Sequence, residues 1–68
     1  MTLILSSKWS EKLLMLPESG MGYQRINVRL KSGKLNIGLI VENAEQLNIP
    51  ETVDAFKEED IVDIEISK

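Results

Sequence analysis

Residues 23–31 read YQRINVRLK, residues 34–42 read KLNIGLIVE, and Ser32-Gly33 lies between them. Both arms alternate apolar and polar residues, the period of a strand buried on one face. A two-residue loop containing glycine is a hairpin signal. Pairing outward from such a loop sets Leu30 against Leu35, Val28 against Ile37 and Ile26 against Leu39, all on one face. The other face then carries Arg29 opposite Asn36, Asn27 opposite Gly38 and Arg25 opposite Ile40. A one-residue slip would move every side chain to the wrong face, so parity selects this register. A three-residue loop with a glycine bulge is the alternative, and it matches the apolar faces less well.

Shorter signals flank the hairpin. Thr2 to Leu5 reads as a strand. Trp9, Leu13 and Leu16 fall at i, i+4 and i+7, one face of a helix of about two turns. Ser7 or Ser10 can cap its start, and Pro17 ends it by disfavouring helical backbone at Leu16. Asn43-Ala44-Glu45 supplies a turn, and Gln46 to Ile49 a further strand. PETVDAF (50–56) can form one helical turn, and KEED (57–60) a polar turn. In IVDIEIS (61–67), Val62, Ile64 and Ile66 alternate with Asp63 and Glu65, the pattern of a half-buried strand. Ile40 and Ile61 fall off the expected inner face and offer apolar surface to a partner.

These signals predict a single mainly β domain over residues 1–68. It is either a small five-stranded barrel or a strongly bent antiparallel sheet, with one short N-terminal helix. Over residues 23–66 the segments VRLKSGKLNIGLIV and FKEEDIVDIEI resemble the Sm-like and Src-homology-3-like barrels. The block LPESGMGYQ (16–24), joined to FKEEDIVDIEI, is similar to short conserved bacterial proteins of uncharacterised activity. That likeness implies no chemistry.

Composition removes several function classes. The 68 residues include no cysteine and no histidine. Disulfides, thiolate–zinc sites and the side chain that titrates unperturbed near neutral pH are therefore absent. A core this small gains from self-association. Residues 1–34 carry six Lys/Arg against two acids, and residues 35–68 carry two Lys against nine acids, for a net charge of −3. The halves are expected to neutralise each other across the fold; an electrically polar surface that binds a charged partner is the sharper alternative. No apolar run is long enough to span a membrane, and the start has no signal-peptide core, so a soluble cytoplasmic protein is expected.

Two surfaces carry binding hypotheses. Ser19, Gly20 and Gly22 within PESGMGYQ could turn successive N–H groups toward an anion. The order helix–loop–strand is wrong for a phosphate at a helix N-terminus, so a connector with conformationally free glycines is the plainer reading. Tyr23, Arg25, Arg29, Lys31 and Lys34 put one aromatic and four cations on the hairpin, enough to stack a base and contact phosphates. Pairing with Glu58, Glu59, Asp63 or Glu65 is the plainer reading here. The acids 58–65 lack calcium-loop spacing, and no serine has an evident base partner. The expectation is a non-catalytic module without cofactor or metal. It would bind a protein or a second copy of itself, with nucleic acid as the alternative partner.

Overall fold

The computed structural model describes residues 1–67 and has a mainly β fold. Its five strands are β1 (Thr2–Ile4), β2 (Tyr23–Leu30), β3 (Leu35–Glu42), β4 (Gln46–Asn48) and β5 (Ile61–Ile66). They form one antiparallel sheet in the order β1-β4-β3-β2-β5. One helix, α1 (Ser7–Leu14), links β1 to β2, and a single 3-10 turn, Glu58–Asp60, leads into β5. The sheet is bent but not closed: β1 pairs only with β4, and β5 only with β2. The helical turn predicted within 50–56 does not form; Val53 N–H closes a lone turn on Pro50 O at 3.0 Å.

The central hairpin forms, but in the register the sequence ranks second. Gly33 N–H donates to Leu30 O (2.9 Å) and Leu30 N–H to Lys34 O (2.9 Å), so Lys31-Ser32-Gly33 is a three-residue loop. Gly33 takes the left-handed backbone (φ +92°) that this loop demands. The loop displaces β3 by one residue: Arg29, not Leu30, lies opposite Leu35, and Val28 lies opposite Asn36 rather than Ile37. A bulge then removes the offset. Gly38 is also left-handed (φ +78°), and its N–H donates to Asn27 Oδ1 at 3.1 Å. Beyond it the expected pairs return, with Ile26 opposite Leu39 and Arg25 opposite Ile40.

The short stretch between the two glycines is therefore inverted. Asn36 is 7% exposed, and its Nδ2 meets no acceptor among the described residues. Leu35 and Ile37 face out, Ile37 at 69% exposure. A second irregularity does the same to β5. Arg29 pairs with Asp63 and Leu30 with Ile61, which leaves Val62 unpaired between them. Ile61 is buried and Val62 exposed, the reverse of the expected alternation.

Inside the bend, Ile26, Val28, Leu39, Val41, Leu47, Ile49, Phe56, Ile61 and Ile64 share one core with Leu5 of the N-terminal segment. Each large aliphatic buried there contributes about 1.5–3 kcal/mol by area. α1 adds Trp9 and Leu13, both buried, as their four-residue spacing requires. Its N-cap is Ser6, whose carbonyl accepts from Trp9 and Ser10 N–H; no hydroxyl caps the helix. Polar links hold α1 to the β5 side of the sheet. Ser6 N–H donates to Glu58 Oε1 (2.7 Å), Lys12 Nζ bonds Asp63, and Gln24 Nε2 donates to Leu13 O (2.8 Å).

Gly33 and Gly38 both have room for a methyl group, so a side chain there is penalised by backbone conformation alone. Gly33→Ala and Gly38→Ala should each cost about 1–2 kcal/mol. Gly20→Ala should cost less, because its backbone carries no such penalty and its Cβ meets only the outer end of the exposed Tyr23 ring, which can swing aside. Urea midpoints of the three variants test this order.

Candidate functional site

The segment Pro17–Gly22 is a connector whose N–H groups are largely committed inside the loop. Ser19 and Gly20 N–H both donate to Tyr23 O (3.0 and 3.3 Å). Gly22 N–H donates to Glu18 Oε2 (2.8 Å), and the Ser19 hydroxyl accepts from Arg25 N–H (2.8 Å). Gly20 permits the Tyr23 ring to lie on the backbone, and Gly22 takes positive φ (+80°). Ser19, Gly20 and Gly22 thus stand together as the sequence suggests, but their N–H groups are not turned outward as an anion nest requires.

Two side chains that sequence reasoning passed over organise this region. Gln24 is 3% exposed, and its Nε2 faces the carbonyls of Leu13, Leu16 and Pro17 at 2.8, 3.2 and 3.3 Å. It satisfies the end of α1, where the last carbonyls have no intrahelical donor. Its alternation with Tyr23 and Arg25 on β2 was a signal that it points inward, next to a proline-ended helix. Glu18 is the other, closing the loop through Gly22. Together with Leu13, Leu14, Leu16, Tyr23, Asn43 and Ala44 they line a cleft of about 470 Å³ between the end of α1 and the β3–β4 turn. Asn43 and Ala44 both adopt positive φ (52° and 59°) in that turn. Asn43 N–H donates to Gly22 O (2.9 Å), which fixes the cleft's two rims against each other.

The second surface is the outer face of the sheet. Tyr23, Arg25, Asn27 and Arg29 alternate along β2, with the two arginines roughly 13 Å apart by strand geometry. Among the described residues neither arginine forms an ion pair. Arg29 lies between Leu35 on β3 and Asp63 on β5; Asn27 lies opposite Glu65. Ile40, opposite Arg25, is half-buried. The structure thus puts Tyr23, Arg25 and Arg29 on one face. Lys31 and Lys34 stand apart at the hairpin tip, where Lys34 pairs with Asp54 (3.6 Å). Among the described residues, no group of three or more acids converges as a metal site would require.

Two carboxylates at the α1–β5 junction titrate below their ordinary range. For Glu58 the cause is hydrogen bonding from Ser6, hydroxyl first and then backbone N–H, with the Lys8 charge assisting. For Asp63 the main cause is the hydrogen bond from Lys12, aided by the Ile64 N–H and by the charges of Lys12 and Arg29. Lys12 also lies near the Trp9 ring, 5.8 Å from its centroid, with Lys8 at 4.8 Å. No family model, curated protein or solved structure matches the chain.

Depressed pKa values give stability that is present above the unfolded-state pKa and lost as pH falls through the folded-state value. Unfolding midpoints should be level above about pH 5 and fall below it, as Glu58 and Asp63 take up protons. Glu58→Gln should make that fall shallower. Urea titrations of both proteins across the acid range check the sign; a midpoint that rises on acidification contradicts it.

Proposed function

We propose that this domain is a non-catalytic interaction module that binds a polypeptide, a second copy of itself included, through the outer face of its sheet. One observation carries the reading. Three aliphatic residues are turned to solvent by two separate register irregularities, Leu35 and Ile37 by the three-residue loop and the bulge that ends its offset, Val62 by the bulge in β5, while Asn36 is buried between the first two. Exposing an aliphatic forfeits about 1.5–3 kcal/mol, and burying an unpaired amide costs about 1–3 kcal/mol. Bulges are positional features that re-aim side chains, not packing accidents. The product is an aliphatic patch around Arg29, and arginine set among apolar neighbours is the composition of protein interfaces. Against catalysis, the carboxylates with shifted pKa are shifted down, away from the neutral range a general acid or base needs. A cytoplasmic setting belongs to the same proposal and rests on the sequence.

Ile37→Asp combined with Val62→Asp should leave the unfolding free energy from urea titration within about 0.5 kcal/mol per site of wild type, because both sites are exposed. The pair should abolish capture of the proteins that wild type retains from a native extract, and reduce any self-association seen by sedimentation. Unchanged capture and unchanged mass together refute the outer-face reading.

A nucleic-acid reading is favoured by one observation, the two arginines beside Tyr23 that lack ion pairs among the described residues. Asp63 and Glu65 on the neighbouring strand weaken it. Titration with single-stranded RNA at two salt concentrations decides: phosphate engagement gives affinity that falls steeply with salt. Absence of binding at low salt removes this reading.

A further inference from the structure

We infer that the cleft beside α1 is a binding site for an alkyl cation: a guanidinium or ammonium group on a chain of methylenes, such as a lysine or arginine side chain or a linear amine. The one charged group on the cleft's walls is an acceptor, Glu18, with the Gln24 carbonyl oxygen beside it; the Tyr23 hydroxyl and the Asn43 amide are neutral and can each turn a lone pair to a ligand. The Gln24 Nε2 is turned to three carbonyls, which fixes the orientation of the amide and leaves Oε1 pointing away from them. No donor among the described residues reaches that oxygen, and it is not sealed off from solvent. Glu18 uses Oε2 on Gly22 N–H and keeps Oε1 for a ligand. α1 presents its C-terminal end here, the negative end of its dipole.

The backbone donors that would favour an anion are taken. Ser19 and Gly20 N–H bond to Tyr23 O, and Gly22 N–H to Glu18. Leu14 and Leu16 give an apolar wall on which methylenes can lie while the charge stays at the acceptors. The Tyr23 ring, also on the wall, attracts a cation over its face. A volume of about 470 Å³ is ample for one such chain, and the net charge of −3 draws cations toward it. These residues are distinct from the aliphatic patch on the outer face, so the site stands whether or not that patch binds protein.

The test is a titration of the nitrogen-labelled full chain with butylguanidinium and, separately, butylammonium, followed by amide resonances. Saturable shifts are expected at the Gln24 side-chain amide, Gly22 and Asn43, with none at Ser32 and Gly33 on the hairpin tip. Pentanol and pentanoate at matched ionic strength should leave those resonances in place. Glu18→Gln retains an acceptor for Gly22 N–H, so the loop keeps its bond. The variant should weaken the cation about fivefold, the difference between a charged and a neutral acceptor. Tighter binding by a glycine–serine peptide with one central arginine assigns the cation to a polypeptide; the reverse order assigns it to a free amine. The inference is overturned if the cations leave Gln24 unmoved, if pentanol or pentanoate shifts the same amides as strongly, or if Glu18→Gln binds with unchanged affinity.

Discussion

Two glycines held in the left-handed region, Gly33 and Gly38, impose the register on which the rest of the molecule depends. The first makes the hairpin loop three residues long and displaces β3 by one position; the second absorbs that displacement in a bulge. Because side chains alternate with a period of two, the offset between them inverts Leu35, Asn36 and Ile37 and nothing beyond. Leu39 and Val41 return to the core, where Ile26 and Val28 meet them. The loop alone would have carried the whole of β3 to the wrong face. Loop and bulge together confine the inversion to a patch, and that patch is part of the surface on which the proposed function rests.

Much of this was legible in the sequence, and the exceptions share a cause. The hairpin, the early helix and the last strand were readable because each repeats its period over enough residues to define a face. The pairs nearest the loop were misassigned because Ser32-Gly33 is compatible with two loop lengths, and apolar matching favours the shorter one. Gly38 carried the missing information: an isolated glycine within a strand pattern marks a bulge. The same parity error at Val62 had no glycine to announce it. On the candidate site, Tyr23, Arg25 and Arg29 were placed on one face correctly because they lie beyond the inverted stretch or keep its parity on β2. Gln24 and Glu18 were missed because their roles come from contact with the end of α1, which no spacing along the chain encodes.

The charge asymmetry between the halves of the chain finds a physical outlet at the junction of α1 and β5. Lys12 from the basic half meets Asp63 from the acidic half there, and at the hairpin tip Lys34 meets Asp54. Both pairs are substantially exposed, so each adds little to stability. A helix of eight residues cannot stand without packing, and Trp9 and Leu13 supply it. The polar links have a different part: they choose among the orientations that the two buried side chains allow. Ser6 bonds Glu58 at one end of α1, and Gln24 bonds the carbonyls of Leu13 and Leu16 at the other, so the helix is tied to the sheet at both ends.

The order of elements also decides the sign of charge that the connector can receive. A strand–loop–helix unit brings a helix N-terminus to the loop, with its unsatisfied N–H groups and positive dipole end. Here the order is helix–loop–strand, so the loop begins at carbonyls and at the negative end. Inside a tight connector the N–H groups are consumed first. Each residue has one N–H to satisfy, whereas each carbonyl carries two lone pairs and can bond once and still accept. Tyr23 O illustrates this by accepting from both Ser19 and Gly20. Glycines in such a loop therefore do not by themselves imply an anion. Once their N–H groups close the turn, the charge left at the cleft is that of the Glu18 carboxylate beside the carbonyl end of α1, the sign of field that a positively charged donor requires.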